Sequence, residues 1–186
     1  DEHDLWKDTM LLVNTDHGLL MGEHDWWAKV VTPFFQEIAH IPFWAYDPRN
    51  PKEVDKKSNA LAQTIDLGPT ILDYFDISLT EDMQGKPIFD FIEDDKEIRK
   101  ASLYGVMGGQ VNVTDGRYVY MRATTTEDNK PLYDYTLMPT HMKNRFSPRE
   151  LQEWEKVEGF SFMKGCKVMQ IPTRTFPIFS AKDNPL

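Results

Sequence analysis

At 186 residues, with 40% hydrophobic and 12% aromatic side chains, the chain is long enough to bury roughly 70% of its extended surface in one fold, which excludes a disordered polymer. A net charge of −9 argues against a nucleic-acid backbone as partner, and no apolar stretch reaches membrane-spanning length. A sulfate or phosphate ester would be repelled by the overall field, so an enzyme of this charge acting on such an anion needs a local cation and a local lysine.

Residues 4–8 read as a polar lead-in or the tail of a helix. The run Met10-Leu11-Leu12-Val13 predicts a buried strand from Met10 to Thr15, and Gly18 lets the backbone turn as that strand ends. Gly18 to Lys29 reads as a loop, Thr32 to Ala39 as a short helix, and Ile41 to Tyr46 as a second buried strand stopped by Asp47-Pro48. Lys52 to Lys57 is a solvated turn. Ser58 then caps a helical stretch, and Asp66 and Pro69 open a new helix with Ile71, Leu72 and Phe75 as its apolar stripe. Gly85 to Ile92 is a loop and short helix.

Beyond the acidic run at Glu93 the pattern changes to strands. Ser102–Met107, Gln110–Thr114 and Arg117–Arg122 follow one another, the last two joined by the turn Asp115-Gly116. Ser147-Pro148-Arg149-Glu150 has the spacing of a capping box, which predicts a helix to about Val157. The tail from Gly159 onward, with Pro172, Pro177 and Pro185, reads as irregular.

The chemistry concentrates near the first strand. Asp16 and His17, a hard and a borderline ligand side by side at a strand's end, point at a metal, although an isolated pair of this kind also serves as a cap and a loop histidine. Two donors are too few for a complete site, so others must come from elsewhere. Lys29 follows two tryptophans and an alanine, a setting that suits an ammonium clamp on a sulfuryl or phosphoryl oxygen. His24 has two readings: a group that protonates a leaving oxygen, or a histidine tied to Glu23 or Asp25. Trp26 and Trp27 would floor a sugar or aryl ring, or simply pack. Asn112-Val113-Thr114 is a glycosylation sequon in a strand-like setting.

In order, Thr15-Asp16-His17-Gly18, Gly22-Glu23-His24, Trp27-Ala28-Lys29 and Ala39-His40-Ile41-Pro42 resemble the C-terminal catalytic segment of the sulfatase family, within the alkaline phosphatase-like superfamily. The version typified by iduronate sulfatase and bacterial relatives is the most similar. Ile65 to Leu72, Met83 to Pro87, Gly116 to Tyr120 and Leu132 to Asp134 extend the resemblance over roughly residues 8 to 138. It implies that Asp16 and His17 ligate a divalent cation, usually calcium, that Lys29 holds the sulfate, and that His24 sits near the ester. His40 matches a family position but precedes a strand and reads as structural.

Sulfatases use a formylglycine made in a Cys/Ser-x-Pro-x-Arg motif, together with an N-terminal aspartate pair on the metal. Neither is present: Cys166-Lys167-Val168-Met169-Gln170 does not fit, and Ser147-Pro148-Arg149 has the wrong spacing. The resemblance therefore implies an incomplete site, with a sulfated small molecule or glycan as substrate and the N-terminal portion of the same enzyme as partner. Asp1-Glu2-His3-Asp4 reads like the middle of a protein, and the single cysteine favours a reducing compartment such as a bacterial cytoplasm over secretion. The expected architecture is α/β. Residues 1–100 would be the end of an alkaline phosphatase-like mixed sheet with flanking helices, and 101–186 a small antiparallel sheet packed by the Ser147 helix. A phosphodiester or phosphonate hydrolase of the same superfamily, and a non-catalytic binding module, are the competing readings.

Overall fold

The computed structural model describes residues 2–29, 34–51, 55–92, 95–126, 129–141 and 143–173. The chain separates into two compact units, residues 1–104 with 112–121, and residues 105–111 with 122–186.

In the first unit, Leu11–Asn14 (β1) pairs antiparallel with Phe43–Tyr46 (β4), Leu11 opposite Tyr46 and Val13 opposite Trp44. Both strands form where the apolar runs place them, but neither is buried. Leu11, Val13 and Trp44 are 41%, 42% and 64% exposed. Apolar residues on both faces of a strand are the pattern of a sheet covered on both sides, and the described residues leave the two-stranded ribbon uncovered on the face of Leu11, Val13 and Trp44. Between these strands, Leu20–Met21 (β2) and Trp27–Ala28 (β3) form a short hairpin where a loop was expected, with a 3-10 turn, Glu23–Asp25, at its tip. Gln36–Ala39 (α1) is the part of the expected Thr32 helix that lies inside the described residues and forms a helix. Leu20 and Ile38 are buried here, and so is Ile88 further along the chain.

Ser58 caps no helix; its hydroxyl donates to Asp95. Helix formation begins at Thr64–Asp66, a 3-10 turn that runs into Leu67–Tyr74 (α2). Asp66 enters this helix as expected, yet its fully buried carboxylate works over a longer range. It accepts from Arg99 Nη1 and Nη2 (both 2.6 Å), the Gln63 N–H (2.8 Å) and the Lys86 N–H (3.0 Å). Burial alone would raise this carboxyl, but the Arg99 bonds and the two backbone donors outweigh it and leave the pKa below 3.8. The expected apolar stripe of α2 is only partly covered, with Ile71 44% and Phe75 64% exposed. Phe89–Ile92 (α3) closes this stretch.

Ser102–Gly105 (β5), Val111–Thr114 (β6) and Val119–Arg122 (β7) form a three-stranded sheet in that order. The Asp115 carboxylate accepts the N–H groups of Arg117 and Tyr118, so the turn spans more than the two residues expected. Asn112 is fully buried, which removes the sequon as an acceptor in the folded state.

In the second unit, Tyr133–Thr136 (β8), Glu155–Val157 (β9) and Val168–Pro172 (β10) form an antiparallel sheet with β10 central. Val168 and Ile171 are its buried residues. The predicted Ser147 helix does not form, although its capping box does: the Ser147 N–H donates to Glu150 Oε2 at 2.7 Å and the Glu150 N–H to Ser147 Oγ at 3.4 Å, with the Ser147 hydroxyl also donating to Glu150 Oε2. Cross-strand pairing of Val157 with Val168 outweighs the local helix signal. The expectation of an irregular tail from Gly159 fails for the same reason, because β10 lies within it. Residues 174–186 lie outside the described residues.

Candidate functional site

The chain leaves β1 at Asn14 and bends through Thr15 to Gly18. That bend is held against α1, with the Gly18 N–H donating to the Ile38 carbonyl at 2.8 Å. A Cβ on Gly18 would stand 1.8 Å from the Glu37 carbonyl oxygen, so only glycine permits this approach. The bend sets the direction of Asp16 and His17.

His17 is held in one tautomer. Its Nδ1 lies 2.8 Å from the Gly18 carbonyl, which can only accept, so Nδ1 carries the proton and Nε2 presents a lone pair. That lone pair lies 3.4 Å from Asp16 Oδ2 and 2.7 Å from Lys29 Nζ. Two acceptors converging at such a distance call for a positive charge, and the Lys29 ammonium supplies one. Among the described residues, one of its three N–H donors is engaged by His17. Asp16, His17 and Lys29 thus converge on one point at the exit of β1.

His24 sits in the Glu23–Asp25 turn of the hairpin. Its expected partners were Glu23 and Asp25; the structure instead gives it Glu37, with Nε2 at 3.3 and 3.4 Å from the two carboxylate oxygens. The ring stacks flat on Phe35, centroids 3.7 Å apart and planes 10° from parallel. Glu23 serves the hairpin, accepting the Met21 N–H, which holds its carboxyl below the usual range. Trp26 and Trp27 are 52% and 69% exposed; the edge of the Trp27 ring lies in van der Waals reach of Gly22. His40 is exposed and near Gln36 Nε2, apart from the converging groups. Glu37 and Phe35 were not singled out from the sequence. Thirteen positions separate Glu37 from His24, and no local spacing signals the contact.

The Asp16 carboxylate and the His17 Nε2 lone pair, 3.4 Å apart, are donors of the types a divalent cation takes, but here that lone pair accepts from Lys29 Nζ, which a cation would displace. Among the described residues no group of three or more His, Cys, Asp or Glu side chains gathers in metal-binding geometry. Asp16 and His17 thus offer two donors, short of a complete cation shell among the described residues.

Residues 22–158 match the family model of the N-sulphoglucosamine sulphohydrolase C-terminal domain. The chain belongs to that family. The match takes in His24, Lys29 and Glu37, and starts after Asp16 and His17. An arylsulfatase of Clostridium perfringens is 30% identical over 107 residues, which is 56% of this chain and 22% of that enzyme. An N-acetylglucosamine-6-O-sulfatase of Bacteroides thetaiotaomicron is 24% identical over 161 residues, 80% of this chain and 28% of the enzyme. The solved complex of BT4656 with its substrate D-glucosamine-2-N,6-O-disulfate superposes with a TM-score of 0.55 at 20% identity, covering 67% of this chain and 27% of that one. This likeness establishes the α/β sulfatase fold of the C-terminal part. The chain spans under a third of the length of these relatives.

Proposed function

We propose that the chain is the C-terminal part of a sulfatase that hydrolyses the sulfate ester of a small molecule or glycan, acting together with the N-terminal portion of the same enzyme. The observation that carries this reading is the convergence of the His17 lone pair, the Asp16 carboxylate and the Lys29 ammonium in a member of this family. The uncovered apolar face of β1 and β4 supports a larger assembly.

In this reading Asp16 and His17 would be two of the six to eight ligands of a divalent cation, calcium, the rest being oxygens from elsewhere in the enzyme, and its charge would polarise the sulfuryl group when bound. Lys29, released from His17 Nε2 when a cation takes that lone pair, donates its protons to a sulfate oxygen and offsets the repulsion of a chain carrying −9. His24 exchanges a proton with the leaving oxygen. Trp26 and Trp27 offer exposed indole faces for a sugar or aryl ring. Relatives named for N-acetylglucosamine-6-O-sulfate, for ulvan and for aryl sulfates fit a sulfated glycan or small molecule as substrate. The formylglycine nucleophile belongs to the N-terminal portion, so the 186-residue chain alone has little or no turnover.

The test compares 4-nitrophenyl sulfate and sulfated glucosamine hydrolysis by the complete enzyme, by its Lys29→Ala variant and by this chain. Turnover by the complete enzyme that Lys29→Ala abolishes supports the reading; full turnover by this chain alone overturns it. A second reading, a phosphodiester or phosphonate hydrolase, draws on 25% identity over 96 residues to a multifunctional alkaline phosphatase superfamily protein of Trinickia caryophylli. Preference for a phosphodiester over its sulfate analogue would favour that reading.

A further inference from the structure

His24 stands in an unusual backbone. Gly22, His24, Asp25 and Ala28 have φ of 115°, 57°, 60° and 107°, so four of seven consecutive residues are left-handed, three of them without the freedom of glycine. A non-glycine residue pays of order 1 kcal/mol for such a conformation, which persists only where its surroundings over-determine it. The Glu23 carboxylate takes the Met21 N–H at 2.6 Å, the Gly22 N–H reaches the Trp26 carbonyl, and the Phe35 ring lies flat under the imidazole. The Glu37 carboxylate then faces Nε2 with both oxygens nearly equidistant.

From this we propose that Glu37 is a positioning residue: it holds His24 in the tautomer with the proton on Nε2, and with Phe35 fixes the ring so that Nδ1 is the atom presented to substrate. This rests on the reading of His24 given under Proposed function. A carboxylate accepts only, so Nε2 must donate, and a proton on Nε2 leaves Nδ1 as the exchanging nitrogen. In its cationic form His24 gives the Nδ1 proton to the leaving oxygen as the bond from sulfur to that oxygen breaks and the nucleophile of the N-terminal portion bonds to the sulfur. The ring becomes neutral, and Nε2–H stays on Glu37. The other acids beside the ring, Glu23 and Asp25, belong to its own turn. Glu23 is committed to the Met21 N–H, which leaves Glu37 as the acid that reaches the ring from another element. The same turn of helix anchors the Gly18 bend through Ile38, so α1 positions His17 by its backbone and His24 by a side chain.

The experiment has two arms. In the 186-residue chain, nitrogen-15 NMR of the neutral imidazole reads the tautomer directly. Wild type is expected to show Nε2 protonated and Nδ1 bare, Glu37→Ala a mixture, and Glu37→Gln, which keeps an acceptor, a partial return. Phe35→Leu is expected to remove the upfield ring-current shift of the His24 carbon-bound protons. In the complete enzyme, Glu37→Ala is expected to lower kcat about 10-fold or more with KM nearly unchanged. The double variant with His24→Ala should be no slower than His24→Ala alone. An unchanged tautomer in Glu37→Ala, or additive losses in the double variant, overturns the positioning role. A moved tautomer together with wild-type turnover in His24→Ala overturns the reading of His24 itself, and the proposal falls with it.

Discussion

Replacing Gly18 with alanine tests whether the bend carrying Asp16 and His17 is set by close packing on α1. The added methyl would sit 1.8 Å from the Glu37 carbonyl oxygen, 2.9 Å from its carbon and 3.0 Å from Ile38 Cα. All three are backbone atoms of a helix whose Ile38 is buried, so no flexible side chain can yield. The bend must lift, which forfeits the 2.8 Å bond from the Gly18 N–H to the Ile38 carbonyl. Overpacking of this kind costs about 1–3 kcal/mol and the lost bond roughly 1 kcal/mol more, so the variant loses about 2–4 kcal/mol. For a chain of this size that lowers the unfolding temperature by roughly 4–16 °C. Thermal unfolding followed by circular dichroism measures it. Gly68→Ala is the control: the nearest atom to its new methyl is Met83 Cε at 3.9 Å, an ordinary contact in α2, and the substitution should stabilise by up to about 1 kcal/mol. If Gly18→Ala melts with the wild type while Gly68→Ala behaves as stated, the close approach does not hold the bend.

Arg99→Met should destabilise by about 3–5 kcal/mol, because it leaves the fully buried Asp66 carboxylate without its cation; chemical denaturation reads the loss, and a change below that range would count against a buried pair. Asp66 also sets an acid limit. Its folded pKa is depressed, so the stabilisation is complete above 3.8 and is lost as pH falls through the lower folded value, which unfolding midpoints across that window would show. Glu150, held at about 2 first by the Ser147 N–H and then by the Ser147 hydroxyl and His141, should titrate near there by carbon-13 NMR. Its bonds should persist above 4.5 and fail as pH falls toward 2. Ser147→Ala should move the midpoint up toward 4.5, and an unmoved midpoint would assign the effect to other groups. Calorimetry of this chain with calcium should give a dissociation constant on the order of millimolar or weaker, since two donors are far short of six to eight; micromolar affinity would reveal an autonomous site.

The position of the site was legible in the sequence because its signals are local. An apolar run, a glycine and a ligand pair within nine residues place Asp16 and His17 at a strand's exit, and the structure puts them there. Burial was not legible. The run Leu11-Leu12-Val13 says that both faces of β1 are apolar, and only three-dimensional neighbours say what covers them. Ser147 makes the same point from the other side. Its capping box forms bond for bond, yet Glu155–Val157 turns to strand because β10, more than ten residues later, offers a ladder. Contacts across distance were the least readable: Arg99 reaches Asp66 across 33 positions and Glu37 reaches His24 across 13, and neither pairing has a local pattern.

The concentration of left-handed residues between Gly22 and Ala28 also explains why a hairpin forms where composition suggests an open loop. β2 and β3 contribute only two residues each, too few to hold a hairpin by ladder bonds. What closes it is the set of bonds within the turn, the Glu23 carboxylate on the Met21 N–H and the two backbone bonds between residues 22–23 and Trp26. These bonds require the chain to reverse over five residues, and left-handed φ at Gly22, His24 and Asp25 is how it does so. The reversal brings Lys29 back beside His17, twelve positions away, and sets His24 on Phe35 and Glu37. Backbone strain and the placing of these groups are therefore one event: the tight reversal that delivers the ammonium to the converging acceptors is also what aims the second imidazole at its carboxylate.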